Sequence, residues 1–99
     1  MPSFTLLISD EAATVLAALA GSAQYEKQLK KVRQTLGKLQ QDPRHPGLNS
    51  HKYTSIQGVD GEDIWECHVE NNTPSAWRVF WHYGPGKAVI TIVTIGPHP

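Results

Sequence analysis

Hydrophobic positions change their period once along this chain, which separates a helical first part from a stranded second part. "SFTLLIS", residues 3–9, is a short apolar run that stops at Ser9 and Asp10, residue types that cap helices. It predicts a strand that runs straight into a helix. In "DEAATVLAALAG", residues 10–21, acids occupy the first turn, Ala12, Val15, Leu16 and Leu19 form the apolar side, and Gly21 follows the end. From Ser22 onward Tyr25, Leu29, Val32, Leu36 and Leu39 alternate steps of four and three, with Lys27, Lys30, Lys31, Gln34 and Lys38 on the remaining surface. A long amphipathic helix is expected there. Asp42-Pro43 should end it, because the residue before a proline avoids helical geometry.

After the loop "DPRHPGLNSH" the period becomes two. "KYTSIQ" and "EDIWECHVEN" flank "GVDG", whose Asp60-Gly61 pair is a hairpin signal. "AWRVFWHY" follows the turn "NNTPS", and "KAVITIVTIG" follows "GPG". A meander of strands is predicted. "AVITIVTI" is apolar at nearly every position, so it either has both faces covered or lies inside the sheet, with the first strand beside it. Two helices against one mainly antiparallel sheet make an α+β domain.

Alternation assigns faces within the strands. Trp65, Cys67 and Val69 share one side, Glu66 and His68 the other. In the next strand Trp77, Val79, Trp81 and Tyr83 oppose Arg78, Phe80 and His82. The Trp-rich side is the expected core. Glu66, His68, Arg78, Phe80 and His82 then share an outer face, expected to be wet.

Composition narrows the classes. A chain of 99 residues suits a single domain, spanning residues 1–99. Nine Lys plus Arg balance nine Asp plus Glu, so net charge does not advertise a polyanion partner. The single cysteine, Cys67, excludes an internal disulfide and suits a reducing compartment. The longest apolar run is far short of a membrane span, and "FTLLISDE" lacks the basic flank and cleavage site of a targeting segment. The expected compartment is the cytoplasm.

The order of elements, together with "LKKVRQTLGKLQQDP", "GLNSHKY", "IWECHV", "AWRVFWHY" and "ITIVTIGPHP", resembles the RelE/ParE/HigB superfamily of bacterial type II toxin–antitoxin toxins. The superfamily's aromatic-Arg-hydrophobic strand motif falls on Trp77-Arg78-Val79. The resemblance implies two amino-terminal helices on a mainly antiparallel sheet of about five strands, with the first strand next to the last. It also implies a cognate antitoxin protein as partner in a toxin–antitoxin hetero-oligomer, and messenger RNA on the ribosome as substrate. For the RNA-cleaving members it implies catalysis without metal or cofactor, by residues at the positions of Glu66, His68, Arg78 and His98.

Metal-free RNA cleavage proceeds by attack of the ribose 2′-hydroxyl on the adjoining phosphate. A base takes the hydroxyl proton, an acid protonates the departing 5′-oxygen, and a cation stabilises the phosphorane. Glu66 is the candidate base and His98 the candidate acid, with His68 able to take either role, while Arg78 offers a fixed, always-charged fork to phosphate. Arg44, His51 and Lys52, in or beside the loop, are candidate phosphate contacts, and Phe80 and His82 are further substrate contacts on the outer face. A zinc site from Glu66, His68 and His82 would need matching geometry across strands, and no close-spaced ligand motif supports one, so no metal is expected.

Plainer functions fit the same residues. Glu66 and Arg78 make a cross-strand ion pair as readily as a catalytic one, and a loop bearing Arg44 and His51 can simply be solvated. A non-catalytic gyrase-binding toxin and an inert antitoxin-binding relative of the same fold stay open beside the nuclease. The zero net charge departs from ribosome-dependent members, which tend to be basic. Many members also carry a carboxy-terminal aromatic that stacks on the target base. Here Trp65, Trp77 and Tyr83 are assigned to the core, which leaves Phe80.

Overall fold

Residues 3–70 and 76–97 are described by the computed structural model, so the turn predicted at 71–75 and the candidate acid His98 lie outside the described residues. The order is β1 (Thr5–Ile8), α1 (Asp10–Ala20), α2 (Glu26–Gln41), β2 (His51–Gln57), β3 (Asp63–His68), β4 (Trp77–Tyr83) and β5 (Val89–Pro97). Ser9 makes the first corner. Its hydroxyl accepts from the Ala12 amide at 3.0 Å, capping α1, and donates to the Val93 carbonyl at 2.6 Å, which ties the helix start to β5.

The second helix begins later than its periodicity predicts. Ser22 is extended, and a single 3₁₀ turn over Ala23–Tyr25 precedes α2. Tyr25 therefore stands ahead of the helix, 43% exposed, and does not join the stripe. Val32, Leu36 and Leu39 carry the burial, with Leu29 half-buried beside them. Thr35 also lies on the buried side, its hydroxyl satisfied by the Lys31 carbonyl at 2.9 Å.

The sheet runs β1-β5-β4-β3-β2, with β1 parallel to β5 and the other pairs antiparallel. The apolar run of β5 is explained by its place inside the sheet. An irregularity opposite Phe80 and Trp81 lets β5 keep Ile90, Ile92 and Ile95 all on the helix side, where each is buried. They join Val32, Leu36, Leu39, Leu48, Cys67, Val79 and Trp81 in one core. Burial pushes the Cys67 thiol up from its ordinary 9.0 to about 12, outweighing the Trp81 indole and the Val79 amide, which favour the thiolate.

Strand register confirms the facial assignment and corrects its solvation. Trp65 pairs with Trp81 and Cys67 with Val79 on the helix side, while Glu66 pairs with Phe80 and His68 with Arg78 on the outer side. The outer side is not wet at its centre. Glu66 is 1% exposed, Phe80 5% and His82 8%. Each sits on an interior strand, so neighbours on both sides flank it, and here those neighbours are large. No helix among the described residues is long and apolar enough to cross a membrane.

Candidate functional site

The loop between α2 and β2 is shaped by its own side chains. Asp42 accepts from the Arg44 amide at 3.0 Å, the Ser50 hydroxyl donates to the Pro43 carbonyl at 2.8 Å, and Leu48 plugs into the core. Asn49 takes the left-handed conformation, φ 51°, which asparagine tolerates better than most residues. Its carbonyl then receives His51 Nδ1 at 2.9 Å. A carbonyl only accepts, so Nδ1 carries the hydrogen and Nε2 is the nitrogen that faces the sheet.

His51 pairs across β2 and β3 with Glu66, and its Nε2 stands 3.3 Å from Glu66 Oε1. Arg78 reaches the same oxygen from the other flank, with Nε at 3.3 Å. The His68 ring meets His51 edge-on at 5.7 Å between centroids. A nearly buried carboxylate is thus held between a guanidinium and a pair of imidazoles, one of which, His51, is half exposed. Buried charge demands such partners.

Arg78 is anchored as well as paired. Its Nη1 donates to the carbonyls of Glu70 at 2.9 Å and Trp77 at 3.1 Å. Glu70 is itself fixed. Burial raises its carboxyl, but the Trp77 amide, Gln28 and Lys31 together hold it below the usual carboxylate range. Lys31 Nζ lies 3.4 Å from Glu70 Oε2, so α2 braces the strand end that orients Arg78.

Beside Phe80 an apolar groove of about 500 Å³ is lined by Tyr53, Ile56, Thr94, Gly96 and Pro97. The Tyr53 ring packs edge-on against Phe80 at 5.1 Å. Tyr53 is therefore a second strand aromatic on the outer side, which the face assignment overlooked. Its signal was present in the sequence, since it follows His51 by two within an alternating strand.

The candidates divide accordingly. Glu66, His68, Arg78 and His51 come together, with Phe80 beside them. His51 is not a loop residue but opens β2. Lys52, one position on, points to the other face, over the Trp65 ring at 5.7 Å and 3.3 Å from Asp63. Arg44 lines a separate cavity of about 490 Å³ with Trp65, Trp81 and Tyr83. His82 shares the face of Arg78 but turns to Glu62 at 3.9 Å and to the Tyr83 carbonyl at 2.9 Å. The group of Glu66, His68 and His82 weighed for zinc does not assemble. His51 takes the third place, and ligand atoms of His51, Glu66 and His68 lie within 4.8 Å of one another.

No protein-family model matches the sequence, and no curated protein does. Solved structures match through the fold. A YoeB/ParE toxin from Agrobacterium tumefaciens superposes with a TM-score of 0.70 at 8% identity, covering 97% of this chain and 100% of that one. A metal-bound toxin from Helicobacter pylori gives 0.67 at 21%, covering 96% and 94%. The RelE of a RelE-RelB complex from Pyrococcus horikoshii gives 0.65 at 15%, covering 98% and 96%. The chain has the fold of the RelE and YoeB/ParE toxins.

Proposed function

We propose that this chain is the toxin of a type II toxin–antitoxin module and that it cuts messenger RNA on the ribosome without needing a metal. The observation that carries the reading is the meeting of Glu66, Arg78, His51 and His68 on the sheet face away from the helices. Glu66 takes the 2′-hydroxyl proton, and Arg78, braced through Nη1, presents the rest of its fork to the phosphorane. The proton for the leaving oxygen comes from a histidine, and His51 and His68 are the described histidines beside Glu66. Phe80 and Tyr53 offer the neighbouring groove to a base. The likeness to a RelE in complex with RelB supports an antitoxin as the partner that holds the activity in check.

Expression without a partner should arrest growth and translation, with messenger RNA cut within ribosome-bound regions. Arg78→Ala should abolish cutting in a protein that still folds, and Glu66→Gln and His51→Ala should each reduce it. His98→Ala shows whether the acid of the resemblance is used. Arrest that persists in Arg78→Ala points to a non-catalytic, gyrase-binding toxin. No arrest in the wild type points to an inert antitoxin binder, the reading that the zero net charge favours.

A further inference from the structure

We propose that His51, Glu66 and His68 form a binding site for a transition-metal dication, zinc or copper(II), and that the metal occupies the carboxylate on which the RNA chemistry depends. The metal site stands on geometry alone, and its inhibitory consequence rests on the nuclease reading. Two imidazoles and one carboxylate are a donor set suited to these ions. Their ligand atoms lie within 4.8 Å of one another. His51 Nε2 and Glu66 Oε1 are already 3.3 Å apart, the edge of a tetrahedron with metal–ligand bonds of about 2.0–2.1 Å.

The orientation of His51 is the second observation. With Nδ1–H given to the Asn49 carbonyl at 2.9 Å, a neutral ring aims the Nε2 lone pair at a carboxylate oxygen. Two acceptors facing each other at that distance call for a positive centre between them, either a proton or a metal. A carbonyl on the far nitrogen is also how metal-ligating histidines are commonly oriented. His51 is exposed, which provides the entry path and leaves room for water to complete the coordination. Arg78 opposes a second cation, because its Nε stands 3.3 Å from the same Glu66 oxygen. Metal and guanidinium therefore compete for one carboxylate.

The test uses the full chain without RNA. Zinc affinity is measured by competition with a chromophoric chelator, and the copper(II) form is examined by electron paramagnetic resonance. One equivalent of metal should bind, with hyperfine coupling from imidazole nitrogens. His51→Ala and His68→Ala should each weaken binding at least about tenfold, as should the conservative His68→Gln, while thermal melts confirm the fold. Arg78→Ala should tighten binding, and His45→Ala should leave it unchanged. Absence of binding, or affinity in the His51 and His68 variants equal to that of the wild type, overturns the site. In a cleavage assay, zinc should stop the wild type and a chelator should restore it. Undiminished cleavage by metal-loaded protein overturns the inhibitory half. A chain that cuts no RNA overturns the nuclease reading and with it that half, and leaves the metal site to the titration.

Discussion

On one face of β3 and β4, Cys67, Val79 and Trp81 are enclosed by Val32, Leu36 and Leu39 of α2, while on the other Glu66 is enclosed by His51 and Arg78. The first enclosure is apolar and comes from a separate layer. The second is polar and comes from the sheet's own neighbouring strands. Apolar burial is non-directional and tolerates small shifts, but a buried carboxylate requires donors at defined distances. The same strands thus carry an apolar face that packs on a helix and a polar face whose buried carboxylate depends on defined partners, and their responses to perturbation should differ.

The largest expected difference concerns Cys67. A rise from 9.0 to about 12 lowers its thiolate fraction about a thousandfold, so alkylation in the folded protein should be slower than in denaturant by at least that factor. Because the folded value lies above the unfolded one, the neutral thiol contributes stability that is complete below about 9 and is lost as pH rises toward about 12. Rapid labelling of the native chain would exchange the two faces.

Next comes truncation of the apolar face. Leu39→Ala should cost about 2–5 kcal/mol in denaturant unfolding, as a cavity in a packed core. Glu66→Gln, which keeps the shape but removes the charge facing Arg78 and His51, should cost less, about 1–3 kcal/mol. The reverse order would make the polar enclosure the principal source of stability. A gain on Glu66→Gln would mark the carboxylate as held there for function at the expense of the fold.

The smallest effect lies at the brace. Lys31→Ala should cost about 0.2–1 kcal/mol, since the pair with Glu70 is partly exposed. The folded Glu70 carboxyl lies below its ordinary 4.5, so its contribution is present above that value and is lost as pH falls through the folded one. The variant should therefore show a shallower acid loss of stability than the wild type, and parallel pH profiles would remove Lys31 from the brace.

Much of this molecule was legible from local rules. Ser9, Gly21 and Pro43 mark where elements turn, the stripe through Val32, Leu36 and Leu39 marks the buried side of α2, and alternation separates Trp65 and Cys67 from Glu66 and His68. Each depends on residues a few positions apart. The start of α2 was missed because helical spacing extends through Tyr25 even though Ser22 is extended.

What only the tertiary structure decided is who meets whom. That His51 faces Glu66 while Lys52 turns away follows from the pairing of β2 with β3 and the single-residue alternation that goes with it. Arg44 and His82 carry suitable chemistry, yet the loop sets Arg44 at a separate cavity and His82 turns to Glu62. The dryness around Glu66 belongs to this class too. Alternation determines on which side of a strand a residue stands, but its exposure depends on the bulk of side chains on the strands at either flank, and those are brought there by contacts between distant parts of the chain.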